Sequence, residues 1–188
     1  RGFLKSGLLG TAALGITPFV KESMGATFSE TTSPFVQQKP IVLSTWKFGL
    51  KANEEAWKIL SKNGHALDAV EAGVMVVEAD PEERSVGYGG RPDRDGRVTL
   101  DACIMDENLN IGSVACLEHI MHPISVARRV MEKTPHVMLV GDGALQFALE
   151  QGFPKIKLLT PESEAEWKEW LKKSEYKPKV NIENHDTI

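Results

Sequence analysis

His185-Asp186-Thr187-Ile188 is the run of this chain best placed to do chemistry. If the Asp186–Thr187 peptide bond breaks, Thr187 gains an α-amine beside its own hydroxyl. That supplies a nucleophile and its base in one residue. The hydroxyl can begin the break itself. It attacks the Asp186 carbonyl, the acyl group moves from nitrogen to oxygen, and hydrolysis of the resulting ester frees the amine. A model α-amine has a pKa of about 7.7–8.0, against about 10.4 for Lys, so near neutrality part of it can accept a proton. Taken alone, the tetrapeptide is better explained by a Thr standing there by chance.

Other constellations are weaker. Ser85-Val86-Gly87-Tyr88-Gly89-Gly90 is a Gly-rich loop that could bring backbone close to a ligand or could be a structural turn; the two readings are evenly matched. No Gly-Lys-Ser/Thr follows it, so it is not a phosphate loop. Gly141-Asp142-Gly143 lacks a third Gly and a surrounding βαβ unit, and reads as a plain helix start. His119 and His122 are spaced for a metal but have no third ligand, so surface histidines are expected. Asp93-Arg94-Asp95-Gly96 falls short of a calcium loop and reads as a polar turn. Glu166 to Trp170 mixes charges and reads as a surface helix with one packed face.

The elements that must position these residues follow from periodicity. Ile41-Val42-Leu43 predicts a short buried strand ending at Ser44-Thr45-Trp46. Ala52 to Lys62 predicts a helix stopped by Asn63-Gly64. Ala66 to Ala79 is apolar almost all round, which predicts a helix held between layers. Val98 to Ile104 and Ile111 to Leu117 predict a hairpin with its turn centred on Asn108. That centre puts Cys103 and Cys116 on neighbouring strands but out of register, so two buried thiols are expected rather than a disulfide. Ile124 to Lys133 is a helix opened by Pro123. Val137 to Val140 is a strand, Ala144 to Gln151 a helix ending at Gly152, and Pro161 to Lys173 an exposed helix. From Ser174 to Asp186 the chain is polar and aperiodic, a linker. The order mixes a hairpin with helix pairs, and predicts a layered α/β (α+β) domain over residues 40–188.

The 188 residues suffice for one domain with a sizeable core. A hydrophobic content of 41% and a charged content of 26% are ordinary for a soluble protein. With a net charge of −4 and no basic run, nucleic acid is not an expected partner. Residues 1–26 follow the charged, apolar, small-residue order of an export signal, and Arg1-Gly2-Phe3-Leu4-Lys5 is similar to a truncated twin-arginine type. A periplasmic or secreted protein, free of the membrane once the signal is removed, is therefore expected. Residues 27–39 read as a disordered lead-in. Residues 1–26 hold three basic side chains and one acidic one, so the overall charge understates the acidity of the remainder.

In combination the motifs are specific. Ile41 to Phe48 (IVLSTWKF), Gly64 to Glu71 (GHALDAVE), Ser85 to Gly90 (SVGYGG), Thr99 to Asp106 (TLDACIMD) and the closing HDTI occur in this order. Together they resemble the glycosylasparaginase family of N-terminal-nucleophile hydrolases, over about residues 40–188. The resemblance implies a four-layer αββα sandwich, of which this chain is the α-chain part. It implies self-cleavage at 186/187, with Thr187 as nucleophile and His185 and Asp186 assisting the cut. Trp46 would line the substrate site, and Ser85 would orient the Thr187 amine and hydroxyl. The implied reaction splits the amide between N-acetylglucosamine and the asparagine side chain, without metal or organic cofactor. The implied partners are a glycoasparagine substrate and a β chain from the same precursor, in an (αβ)2 oligomer. The oxyanion donors and the groups that grip the free amino acid end would lie in that β chain, so these residues alone are expected to be inactive. Plant-type asparaginases and isoaspartyl peptidases share the implied fold and chemistry. The Trp-bearing first strand, and HDT instead of Gly before the Thr, argue against them. A non-catalytic sugar-binding module is the alternative outside enzymes.

Overall fold

The computed structural model describes residues 39–173. Eight elements follow in order: α1 (Gly49–Leu60), α2 (Ala66–Glu78), β1 (Leu100–Met105), β2 (Ile111–Leu117), α3 (Pro123–Lys133), β3 (Met138–Val140), α4 (Gly141–Glu150) and α5 (Pro161–Lys173). The strands form one sheet in the order β1-β2-β3, so among the described residues the architecture is mixed α/β.

Local chemistry explains most boundaries. Asn63 takes the left-handed conformation (φ 59°), and the Gly64 N–H donates back to the Ile59 carbonyl at 3.0 Å, which closes α1. His65 caps α2 by accepting the Leu67 N–H on Nδ1 at 3.3 Å, and Asp68 in the first turn suits the helix dipole. Pro123 opens α3, where its missing N–H costs nothing. Asp106 organises the hairpin turn by accepting the N–H groups of Asn108 and Asn110, each at 2.9 Å. Met105 pairs with Ile111, so the turn is centred on Asn108 as expected.

β1 and β2 are antiparallel, while β2 and β3 are parallel and joined through α3. A βαβ unit thus precedes Gly141-Asp142-Gly143, but no strand follows α4 among the described residues, so none surrounds that run. Side chains alternate across the sheet. Ile104 and Val114 point to one face and join Leu67 of α2, Val126, Ala127 and Val130 of α3, and Ala144 and Ala148 of α4 in the main core. Gly112 allows α3 to approach that face, since a Cβ there would lie 2.1 Å from the Ala127 carbonyl oxygen. Arg128 adds a polar tie from α3 to α2, with Nη1 2.7 Å from both Asp68 Oδ1 and Glu71 Oε2.

Two expectations need correction. Ile41 and Leu43 are 78% and 86% exposed and belong to no strand. A short apolar run becomes a strand only beside another that accepts its backbone bonds, and none of the described strands lies alongside. Cys103 and Cys116 are free and out of register, as expected, but both are exposed. Cys103 points to the sheet face opposite the core, and Cys116 has a φ of 51°, off the regular strand path. Helix α2 has neighbours on two sides: Gly73 lies against α1, where a Cβ would come 2.7 Å from the Ala52 carbonyl oxygen, and Leu67 joins the main core with α3, while Val70 is exposed.

Candidate functional site

A cavity of about 440 Å³ opens beside the edge strand β1. Its walls come from the segment before α1 (Ser44 to Phe48), the end of α2 (Val74, Val77, Glu78), the Gly-rich loop (Ser85 to Gly87), β1 with its lead-in (Thr99 to Cys103), and the start of α3 (Pro123, Ile124).

Trp46 stands half exposed at the rim and stacks on Phe48, with centroids 6.4 Å apart and planes 18° off parallel. The Gly49 N–H donates to the Trp46 carbonyl at 2.9 Å, which turns the chain into α1 and leaves both rings on the cavity side. Gly49 leaves room for the Ser44 side chain, since a Cβ there would lie 2.2 Å from Ser44 Oγ.

Ser85 is held on an anchored loop. The Tyr88 N–H donates to the Glu78 carbonyl at 2.7 Å and the Gly89 N–H to the Leu158 carbonyl at 2.8 Å. Helix α5 fastens the same loop from outside. Ser163 Oγ donates to the Gly90 carbonyl at 3.0 Å, and Arg84 Nε lies 3.1 Å from Glu166 Oε1. Gly87 (φ 62°) and Gly89 (φ 83°) are required by backbone conformation and by contact. The glycines serve the turn, and Ser85 to Gly87 line the cavity. The Ser85 hydroxyl donates to Glu83 Oε1 at 2.5 Å. Its lone pairs stay available to accept from an amine or hydroxyl.

Sequence reasoning missed Glu78 and placed its partner His122 at the surface. Glu78 is 3% exposed. Its Oε1 accepts the Ile124 N–H at 3.0 Å and its Oε2 lies 3.2 Å from His122 Nδ1. Burial pushes the Glu78 carboxyl above the usual carboxylate range, against the opposing pull of those hydrogen bonds. His122, expected at the surface, is therefore half-buried in a pair with Glu78. A signal for Glu78 existed: it shares a helix face with Leu67 and Val74, at the spacing of buried positions. His119 lies 3.8 Å from Glu118 and does not join His122 in a common site.

The structure brings Trp46 and Ser85 to one cavity. His185, Asp186 and Thr187 lie outside the described residues. Among the described residues no group of His, Cys, Asp and Glu side chains is arranged to hold a metal ion. No described helix is long and apolar enough to cross a membrane.

A layered α/β chain with a cleft at its edge strand fits many enzymes, and comparison with known proteins narrows it. The asparaginase family model matches residues 33–187, and the chain belongs to that family. It is 71% identical over all 188 residues to the N(4)-(beta-N-acetylglucosaminyl)-L-asparaginase of Elizabethkingia miricola, covering 54% of that protein. It is 45% identical over 136 residues to the N(4)-(beta-N-acetylglucosaminyl)-L-asparaginase of Mus musculus, covering 72% of this chain and 39% of the mouse protein. The resemblance carried by the sequence motifs is borne out. The chain spans about half the length of its bacterial relative and less of the mouse one.

Proposed function

We propose that this chain is part of an amidohydrolase that cleaves the amide between N-acetylglucosamine and the asparagine side chain of glycoasparagines. The observation that carries the reading is the 71% identity, along the whole chain, to a relative named for that activity. The placement of Trp46 and Ser85 in one cavity supports it.

In the proposed cycle, Thr187 Oγ first attacks the Asp186 carbonyl, and water cleaves the resulting ester to leave a Thr187 amine. His185 and Asp186 assist that cut. Thr187 Oγ then attacks the side-chain carbonyl of the glycoasparagine while the amine takes the hydroxyl proton. The amine returns a proton to the leaving sugar nitrogen, and water hydrolyses the aspartyl ester to release L-aspartate. Ser85, with its hydrogen already given to Glu83, accepts from the Thr187 amine and holds it in line. Trp46 forms one wall against the substrate.

The four-layer αββα sandwich belongs to the same proposal. The apolar sheet face that carries Met105, Met138 and Val140, all exposed here, supports a second sheet packed against it. The β chain would supply that sheet together with the oxyanion donors, in an (αβ)2 assembly. Export to the periplasm or beyond is proposed from residues 1–26.

The test is a denaturing gel and one assay on the full precursor. The parent should appear as two fragments and Thr187→Ala as one. The processed protein should release aspartate from a glycosylated asparagine faster than from an isoaspartyl dipeptide. Preference for the dipeptide would move the chain to the isoaspartyl peptidase reading, and an uncut parent would favour a binding module.

A further inference from the structure

Glu78 lines the cavity, yet the proposed cycle gives it no role. Its side chain and its main chain hold different walls. The side chain grips the lead-in and first turn of α3 through His122 Nδ1 (3.2 Å) and the Ile124 N–H (3.0 Å). Pro123 and Ile124 of that turn face the cavity. The main chain grips the Gly-rich loop. Its carbonyl accepts the Tyr88 N–H at 2.7 Å, and Gly87 sits so close that a Cβ there would lie 2.0 Å from the same carbonyl oxygen. Ser85 is two residues from Gly87, on the stretch this contact anchors.

We propose that Glu78 is a positioning residue, a clamp whose side-chain length sets the spacing between the α3 wall and the Ser85 wall of the cavity. This inference rests on the reading of the cavity as the substrate site. What matters is reach rather than charge. Gln has the same length, keeps an acceptor for the Ile124 N–H, and can donate its amide to the other tautomer of His122. Asp is shorter by one methylene, about 1.5 Å, and reaches both partners only if the walls move.

The experiment compares Glu78→Gln and Glu78→Asp in the full, self-processed precursor. kcat and KM are measured on a glycosylated asparagine and normalised to cleaved chain. Glu78→Gln is expected to stay within about threefold of the parent, as a neutral isostere in a buried site. Glu78→Asp is expected to lose about 10- to 100-fold in kcat/KM, the scale of an ångström-level misplacement. In a Ser85→Ala background the Asp variant should lose less than it does alone, because both changes then act on one wall. A role confined to stability would lower Tm and leave kcat and KM per cleaved molecule unchanged.

The proposal is overturned if Gln costs more than Asp, if Asp stays within threefold, or if its loss multiplies fully with that of Ser85→Ala. Should Glu78→Asp not accumulate, His122→Leu breaks the same pair from the other side. Leu is expected to lower kcat/KM and His122→Asn, which keeps an N–H donor, to restore it; a Leu variant equal to the parent overturns the clamp. Failure of the substrate-site reading shows separately, as Ser85→Ala and Trp46→Phe variants with parental kcat/KM.

Discussion

The two faces of the sheet are built from the same strands and nearly the same residue types, yet they end in different environments. On one face Ile104 and Val114 are 4% and 1% exposed beneath α3 and α4. On the other, Met105, Met138 and Val140 are each more than half exposed. Alternation decides which side chains share a face, but only what packs on that face decides whether it is core. The open face carries Met105, Met138 and Val140 beside the polar Asp101 and Ser113. That is why the proposed second layer belongs there and why it is the point at which the reading is easiest to break.

The largest effect should come from the covered face. Val114→Asp places an unpaired carboxylate among Leu117, Val126 and Val130, and should cost about 4–5 kcal/mol or more, enough to abolish soluble, cooperatively melting protein. The matching change on the other face sharpens the comparison. In the full precursor, Met138→Lys should destabilise by about 2–4 kcal/mol if a second sheet covers it, read from denaturant midpoints. A neutral Met138→Lys would leave that face in water and end the sandwich reading. Gly112→Ala tests how tightly α3 sits on the covered face. Its Cβ meets main-chain atoms of Ala127 and Met131 at 2.1 and 2.6 Å, so a loss of about 1–3 kcal/mol is expected.

A smaller effect depends on pH. Burial raises the Glu78 carboxyl, with His122 facing it from the α3 side and Glu71 from α2 itself. The fold therefore favours the protonated form. The stability this contributes is fully present below the unfolded value of about 4.3 and is lost as pH rises through the higher folded value. Glu78→Gln cannot ionise. Its stability relative to the parent should thus improve as pH climbs from about 4 towards neutrality, measured as paired melting curves. The smallest effect is chemical. Cys103 points to the open face, so in the folded precursor its labelling by a thiol reagent should be slow if that face is covered, and fast if it is not.

Much of this arrangement was legible in the residues. The hairpin and its turn, β2 to the residue, the start of α3 at Pro123 and the span of α5 all follow from period and punctuation. Trp46 and Ser85 were singled out and share a cavity. What escaped has a common cause. Ile41 to Leu43 carries strand chemistry, but a strand also needs a neighbour, and neighbours are not written in a local pattern. The cysteines were assigned to a core because thiols are usually buried, whereas their face was set by which helices arrived. Glu78 was not singled out at all. Its burial comes from His122 and Ile124, 44 and 46 residues further along the chain.

The parallel pairing of β2 and β3 through α3 carries a consequence for timing. Ser113 meets Met138 only 25 positions later, and Leu100 meets Leu117 after 17. Each ladder among the described residues thus closes over a short stretch of chain, which lowers the entropic cost of each closure. During synthesis these strands can pair as they emerge, before the Asp186–Thr187 bond has been made. The scaffold that would hold the nucleophile can therefore stand ready when Thr187 arrives.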